Sequence, residues 1–225
     1  MSESFEPIAK SPIEPVPPVT VIDGWQVSAR NTQARLILCD ESARAKVLLL
    51  ASDDGLTSSR LGVRFGEARD VGGLLVAGSG PGEWLALAAP GQIAAAMSEL
   101  RCHVDDAEQV SMLDYTHARA LMRISGVESR EVLASLCAID LSDATTANRA
   151  CFRTLVANLV TDVIRDDTDG APSFLLHCER SSGRYLWGAL LEAGEAFGID
   201  VAGLGSRLPQ QPRAEPETPN KDDDR

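Results

Sequence analysis

Apolar residues in this chain of 225 residues fall in short runs, and the length of these runs restricts the folds that the chain can adopt. Short runs bounded by glycine, proline and polar residues are typical of β-strands. The predicted strands are 35–39, 46–50, 71–77, 83–88, 110–113, 118–125 and 174–178. The stretch 151–164 is long for one strand, and Asn158 near its middle favours either a bend or two strands. No run approaches the roughly 20 residues that span a bilayer, so we exclude a membrane-spanning protein.

Three further segments place their apolar residues on one helical face. The first begins after Pro90-Gly91, and the second follows Gly126. The third begins at Ser182, a predicted N-cap, and stops at Gly198. From residue 118 the elements follow the order β-α-β-β-β-α, with a possible last strand near Val201. This order predicts an α+β fold of two small units, each an antiparallel sheet with helices, of which the second is ferredoxin-like.

The two ends of the chain differ in composition from its middle. Five prolines lie in the first 20 residues, and prolines and charged residues dominate the last 17. Such composition favours extended, solvated chain over packed elements. We therefore predict a Pro-rich flexible arm (1–24), an N-terminal α+β unit (25–110), a C-terminal α+β unit (111–205) and a disordered acidic tail (206–225).

Charge and cysteine content narrow the class of protein. A net charge of −12 argues against nucleic acid as a partner, because phosphate binding requires a clustered positive surface. The N-terminus has no basic region leading into a continuous apolar segment, so no secretory signal is predicted. The five cysteines show no close spacing and form no disulfide framework. A reducing cytoplasm is therefore the expected location.

The glycine cluster at residues 78–82 (GSGPG) is the most prominent motif. A dinucleotide-binding fingerprint requires a strand, a G-x-G-x-x-G turn and then a helix whose N-terminus meets the phosphates. Here Glu83 stands where the third glycine belongs, and the residues that follow it have the pattern of a strand. We predict a turn between two strands and no phosphate site.

The histidines and cysteines do not predict a metal site. Cys102-His103 and His177-Cys178 are adjacent pairs, and neighbours on a strand point to opposite faces. Neither pair has the spacing of zinc ligands, so buried thiols beside hydrogen-bonded imidazoles are expected. His117 lies in a polar segment before a strand, where a turn or hydrogen-bonding role is favoured over an acid/base role.

Asp162 is the one weak candidate for a catalytic group. It lies among apolar neighbours in residues 160–164, and a buried carboxylate is costly unless it is paired or used. Arg153 or Arg165 is its expected partner, and a structural salt bridge or an exposed strand face is favoured over catalysis. The residues by themselves therefore predict no catalytic, cofactor-binding or metal site.

Several segments resemble the gamma subunit of heterotetrameric sarcosine oxidase. The segment GPGEWL at residues 80–85 is similar to the GPxEWL segment of that family. Further segments then follow in the order of the second half of that subunit: 114–119 (DYTHAR), 123–126 (RISG), 132–133, 137–141 (CAIDL), 153–154 and 180–187. The resemblance covers roughly residues 70 to 200.

The resemblance implies a fold similar to the folate-binding aminomethyltransferases, the glycine-cleavage T-protein superfamily. It implies a non-catalytic subunit that contacts the alpha subunit directly and assembles with beta and delta subunits. FAD, FMN, NAD, tetrahydrofolate and zinc would be carried by the other subunits, and none by this chain. The whole complex would be an oxidoreductase acting on a CH–NH bond. It would convert sarcosine to glycine with hydrogen peroxide, passing the one-carbon unit to tetrahydrofolate.

Three residues in or near the matching segments are predicted to be structural or interface anchors: Trp84, Arg180 and Trp187. Two alternatives stay open. The chain could be a free-standing folate-dependent aminomethyltransferase, in which Asp162 would correspond to an aspartate that positions folate and the amine. It could also be the gamma subunit of a complex acting on another N-methyl amine, whose substrate would lie in the beta subunit.

Overall fold

A computed structural model describes residues 7–168 and 170–204 of the chain. The strands are β1 (Ala9–Lys10), β2 (Val19–Ile22), β3 (Trp25–Ser28), β4 (Ile37–Asp40), β5 (Lys46–Leu50), β6 (Ala68–Val71), β7 (Leu74–Gly80), β8 (Glu83–Leu87), β9 (Ser111–Asp114), β10 (Arg119–Ser125), β11 (Cys151–Val156), β12 (Leu159–Arg165), β13 (Ser173–Glu179) and β14 (Asp200–Ala202). The helices are α1 (Leu56–Leu61), α2 (Ile93–Arg101), α3 (Ser129–Leu136) and α4 (Gly183–Gly194). Two 3₁₀ turns, Arg180–Ser182 and Glu195–Phe197, flank α4. None of these helices has the length and apolar composition needed to cross a membrane.

The strands form two large sheets and one small one. The five-stranded sheet has the order β6-β7-β8-β5-β9, the six-stranded sheet has the order β11-β12-β13-β10-β4-β14, and β1, β3 and β2 form a three-stranded sheet. All neighbours in the two large sheets are antiparallel except β14, which runs parallel to β4. Sheets with helices beside them confirm the predicted α+β fold class.

Each large sheet buries one face against its own helices and the other against the second sheet. In the five-stranded sheet, Trp84 and Val47 pack with Leu100 of α2. Phe174 of the six-stranded sheet packs with Leu186 of α4. Between the sheets lies a third cluster, formed by these residues: Ala68, Leu75, Ala77, Leu85, Leu87, Leu121, Cys151, Ile164 and Leu175. Because successive strand residues face opposite sides, strands buried on both faces lose the polar–apolar alternation.

The sheets do not follow the predicted division of the chain at residue 110. Strand β4, which belongs to the predicted N-terminal unit, lies inside the six-stranded sheet beside β10. Strand β9, which belongs to the predicted C-terminal unit, is the edge of the five-stranded sheet. Apolar periodicity reports which face of a strand is buried but not which strand it pairs with, so this exchange has no sequence signal. The chain therefore crosses between the sheets at residues 41–45 and again at 115–118.

Lys46 joins these two crossings. Its Nζ donates to the carbonyl oxygens of Ser42 (2.7 Å) and Arg44 (3.0 Å) in the first crossing and of Thr116 (3.2 Å) in the second. The residue is 0% exposed, and burial lowers the pKa of Lys46 to about 7. Three carbonyl acceptors oppose this effect, because the ammonium form alone supplies three N–H donors.

The predicted flexible arm contains β1 and β2 in its described part, residues 7–24, and is anchored at Ile13, which corrects that prediction. Ile13 is 2% exposed and belongs to the core beneath α4. Pro12 lies so close to Gly183 that an added Cβ there would be 3.0 Å from the Pro12 Cγ. Proline fixes an extended backbone, which suits a segment lying along a surface as well as one in solvent. The predicted tail at 206–225 lies outside the described residues.

Tight turns explain the outcome of two strand predictions, one of them wrong and one confirmed. Gly72 and Gly73, at φ 54° and 81°, divide the predicted strand 71–77 into the hairpin of β6 and β7. In the stretch 151–164 the two-strand alternative is confirmed, with Ala157 and Asn158 at φ 49° and 64° in the turn between β11 and β12. Positive φ at both central residues is the geometry of a two-residue hairpin turn.

The glycine cluster is confirmed as a turn between strands, here β7 and β8. Gly78 is where the chain of residues 64–67 approaches β7, since the Gly78 N–H donates to the Glu67 carbonyl at 2.9 Å. A Cβ at Gly78 would lie 2.2 Å from the Arg64 carbonyl oxygen. The approach therefore requires glycine at this position.

Replacing Gly78 by alanine is expected to lower the free energy of unfolding by roughly 1–3 kcal/mol, because the added methyl overpacks this contact. Urea denaturation followed by circular dichroism measures the change. Gly188→Ala in α4 is the matched control, since no atom lies within 4 Å of its added Cβ. That variant should gain up to about 1 kcal/mol from helix propensity. Equal unfolding midpoints in the two variants would contradict the close approach at Gly78.

Candidate functional site

A cavity of about 270 Å³ lies between the two large sheets, at the end of their shared core. Its lining residues are Leu48, Ser79, Glu83, Leu85, Tyr115, Arg119, Arg153, Val160, Asp162 and His177. The five-stranded sheet supplies the first four, and strands β10 to β13 supply the charged floor. Asp162, the weak catalytic candidate from the sequence, is therefore part of a cavity wall.

Strand register assembles the partners of Asp162. It lies directly opposite Arg153 in the β11–β12 pair and opposite His177 in the β12–β13 pair. Residues directly opposite on paired strands share a face, so the three side chains form a row. Arg153 Nε donates to Oδ1 at 2.5 Å, and Arg119 donates to Oδ2 at 3.0 Å. Of the two predicted partners, the structure joins Arg153 to Asp162, whereas Arg165 pairs with Asp167 at 2.7 Å.

Asp162 and His177 have shifted pKa values for linked reasons. Burial alone would raise the pKa of Asp162, but hydrogen bonds from His177 and Arg153 hold it below its usual value. Burial lowers the pKa of His177 to about 4, and the neighbouring carboxylate only partly offsets this. At neutral pH the row thus contains an ionised carboxylate and a neutral imidazole, with 3.3 Å between His177 Nδ1 and Asp162 Oδ2. Both carboxylate oxygens are occupied, so Asp162 is placed to hold cations and is not a free base.

The outer residues of the cluster connect it to the other sheet. Arg153 donates to Glu83 of β8 at 2.7 Å, and Glu83 also accepts from Ser79 at 2.8 Å. The Arg119 guanidinium lies 5.9 Å from the centre of the Tyr115 ring, a cation–π distance. A series of ion pairs and hydrogen bonds therefore connects the two sheets across the gap between them.

Two buried nitrogen atoms of this cluster have no hydrogen-bond partner among the described residues: Arg119 Nε and His177 Nε2. The prediction of a hydrogen-bonded imidazole thus holds for one ring nitrogen of His177 only. Its neighbour Cys178 lies on the opposite face of β13, where burial raises the pKa of the thiol to about 11. Within residues 7–168 and 170–204, no three His, Cys, Asp or Glu side chains come together as a metal site.

The sequence contained a signal for the His177 contact that residue chemistry missed. The hairpin of β12 and β13 closes with the bridge between Thr168 and Ala171, so residues equally far from this turn are paired. Asp162 and His177 satisfy this condition. A hairpin centred near Gly170 would therefore have predicted the pair.

A second, larger cleft of about 870 Å³ contains another charged cluster that sequence reasoning did not find. Arg123 pairs there with Glu41 at 2.7 Å and with Asp166 at 2.8 Å, and Arg149 reaches Asp166 at 3.1 Å. Arg44 approaches Glu41 at 3.2 Å. Although burial opposes ionisation, the guanidinium groups of Arg123 and Arg44 lower the pKa of Glu41. Arg123 has carboxylate partners on both sides, so its charge is balanced within the protein.

The remaining residues that the sequence singled out lie in packed or hydrogen-bonded positions. Trp84 is buried and donates its indole N–H to the Val63 carbonyl at 2.8 Å, and Trp187 is buried beside α3 and the N-terminal segment. Arg180 donates to the backbone carbonyl of Lys10 and fastens that segment to the start of α4. His117 stacks on the Trp25 ring with 4.7 Å between centroids.

Comparison with known proteins identifies related folds and sequences. Residues 70–215, more than half of the chain, match the family model described as the GCVT N-terminal domain. An aminomethyltransferase from Shouchella clausii (strain KSM-K16) is 31% identical over 108 residues, which are 48% of this chain and 29% of that protein. The chain therefore spans less than a third of the length of this curated relative.

Two solved structures are similar in fold. One is the heterotetrameric sarcosine oxidase from Corynebacterium sp. U-96 in complex with pyrrole 2-carboxylate, with a TM-score of 0.64 and 20% identity over 76% of this chain and 90% of the matched chain. The other is glycine cleavage system aminomethyltransferase T from Bartonella henselae, with a TM-score of 0.62 and 18% identity over 84% of this chain and 56% of that one. At these identities the likeness concerns the fold.

The pH dependence of stability tests the burial of His177. Its pKa is lowered to about 4 in the folded chain, so between that value and the roughly 6.5 of an unfolded histidine the unfolded chain binds more protons. The free energy of unfolding should therefore fall as the pH decreases through this window, by up to about 3 kcal/mol. His177→Asn keeps an amide near Nδ1 and should remove this part of the decline in urea titrations. An equally steep decline in the variant would contradict the assignment.

Proposed function

The chain belongs to the family of the GCVT N-terminal domain, and from this membership we propose that it is the gamma subunit of a heterotetrameric sarcosine oxidase. In this proposal the chain has no catalytic residue and supports assembly by contacting the alpha subunit, with the beta and delta subunits in the same complex. The complex demethylates sarcosine to glycine with hydrogen peroxide and passes the one-carbon unit to tetrahydrofolate. FAD, FMN, NAD, tetrahydrofolate and zinc are bound by the other subunits.

The pairing of Asp162 is the observation that carries the non-catalytic role. Asp162 is 3% exposed, and its carboxylate accepts from Arg153, Arg119 and His177. A general base needs an oxygen free to take a proton and a pKa near the working pH, whereas the pKa of Asp162 is lowered. The fold likeness, which extends over 90% of the matched sarcosine oxidase chain, supports the subunit assignment.

A free-standing folate-dependent aminomethyltransferase is the second candidate, favoured by the 31% identity to the Shouchella clausii enzyme. It would require Asp162 to position folate and the amine. Both oxygens of Asp162 already accept from arginine partners and the residue is 3% exposed, which counts against this role. A gamma subunit for another N-methyl amine is compatible with the same contacts, because the substrate would lie in the beta subunit.

Co-expression with the alpha subunit from the same organism tests the assembly role. The two chains are expected to elute together in size-exclusion chromatography, because the proposed function is to bind alpha. The matched control is alpha co-expressed with an unrelated acidic protein of similar size. Separate elution of this chain at its own monomer volume would exclude the proposal.

Asp162→Asn distinguishes a structural from a catalytic carboxylate. The variant leaves two guanidinium groups without the anion that they share. The isolated chain should therefore lose roughly 2–3 kcal/mol of unfolding free energy. This loss is smaller than that for breaking a fully buried ion pair, because Arg153 is partly solvated. Asp70→Asn, at an exposed carboxylate paired with Arg149, is the control and should change stability less.

The catalytic readout uses the assembled complex. Sarcosine-dependent hydrogen peroxide formation by the complex with Asp162→Asn is expected to stay within about twofold of the unmodified complex, because the proposal gives this chain no catalytic residue. A twofold change corresponds to only about 0.4 kcal/mol of barrier. Loss of turnover, together with saturable tetrahydrofolate binding by the isolated unmodified chain, would favour the aminomethyltransferase candidate instead.

A further inference from the structure

The two large sheets have four edge strands, and three of them bond at one end to another described segment. The edge strands β6 and β11 meet at their first residues, where Ala68 N–H donates to the Arg149 carbonyl at 2.7 Å and Cys151 N–H to the Gly66 carbonyl at 2.9 Å. The chain after β14 bonds to Arg30, whose side chain also holds Asp200 at 2.9 Å. An uncovered edge offers free N–H and C=O groups to another chain. Strand β9 is the edge that receives no backbone hydrogen bond from outside its sheet among the described residues.

The register of β9 shows which of its backbone groups are free. Tyr115 N–H donates to the Lys46 carbonyl at 2.8 Å, so the backbone of Tyr115 points inward, toward β5. Leu113, two residues earlier and opposite Leu48, also points its backbone groups inward. In an antiparallel ladder the inward and outward residues alternate. The N–H and C=O groups of Met112 and Asp114 therefore point away from β5, toward the open edge.

A recess beside β9 could take apolar side chains of an added strand. It has a volume of about 350 Å³ and is lined by Arg101, Val104, Val110, Ser111, Met112 and Leu113. Leu113 is 47% exposed and lies opposite Leu48, a wall residue of the cavity between the sheets. Alternate side chains of an extended peptide paired with β9 would point toward the face on which this recess lies.

The charges around β9 indicate the kind of strand. Leu50 pairs with Ser111 at one end of β9, and the chain leaving Leu50 carries the exposed residues Asp53 and Asp54. Asp114 is exposed at the other end. A second copy of this chain, paired antiparallel, would bring Asp114 beside those acidic residues and join two molecules of net charge −12. Like charges in that position oppose pairing, whereas basic side chains are attracted.

We infer that β9 is the docking edge for a partner: a basic, extended segment of the alpha subunit adds as a sixth strand to the five-stranded sheet. The inference rests on the proposed function, which supplies the alpha subunit as the partner. Backbone hydrogen bonds to Met112 and Asp114 provide the pairing, the recess lined by Met112 and Leu113 takes apolar side chains, and the flanking carboxylates attract the basic ones.

Variants of Leu113 test the edge and its charge preference against purified alpha subunit. Leu113→Lys should weaken binding at least tenfold, because it places a cation where a basic strand docks. Leu113→Glu removes the same apolar contact but should weaken binding less than lysine does. Val21→Lys, on the edge strand of the small sheet and 52% exposed, is the matched control and should stay within twofold. Circular dichroism of each variant checks that it is folded.

Hydrogen exchange gives a readout that requires no substitution. The amides of Met112 and Asp114 should exchange at least tenfold more slowly in the complex than in the isolated chain, because strand addition gives them acceptors. If the unmodified chain does not bind alpha, the proposed function and this inference both fail. If it binds while Leu113→Lys binds equally well and exchange at β9 is unchanged, only the inference is overturned. A stronger loss with glutamate than with lysine, or a dimer of the isolated chain with protected β9 amides, would also overturn it.

Discussion

Lys46 holds together the two places where the chain passes from one large sheet to the other. Its ammonium donates to the carbonyls of Ser42, Arg44 and Thr116, which lie in loops separated by about seventy residues of sequence. These carbonyls belong to irregular chain and have no strand partner there, so an apolar residue at this position would leave them buried without donors. The exchange of β4 and β9 between the sheets brings both crossings to one place. The sheet arrangement and the lysine therefore depend on each other.

The carboxylates of the two charged clusters are balanced in place by guanidinium groups, which connect one element to another. Arg123 lies between Glu41 and Asp166, and Arg153 lies between Asp162 and Glu83. A planar guanidinium can serve two carboxylates at once, which a lysine ammonium does less well. Each of these contacts links a loop or strand to another element across a gap. The buried charges thus fix relative positions, which is a different role from activating a substrate.

Much of the local structure could be predicted from sequence, because strands and helices have their own periods. The helix after Pro90-Gly91 and the late strand near Val201 are both confirmed. What could not be predicted is pairing between distant strands, which is why β4 and β9 were expected in the wrong units. The Asp162 row falls between these cases, since its contacts follow from two short hairpins whose turns lie near Asn158 and Gly170. Residue chemistry alone did not reveal it, because strand register places His177 opposite Asp162 and no local sequence motif marks the contact.

The open edge and the charged cavity are physically connected through Leu48. Its side chain lines the cavity, and across the ladder it lies opposite Leu113 of β9. Leu113 itself does not line the cavity, and it is 47% exposed. A segment added at β9 would therefore cover Leu113 and remove it from water, while the charged residues of the cavity keep the partners that they already have in the two sheets. The edge and the cavity thus share one ladder, but contact with a partner at the edge does not require any change in the charged cluster.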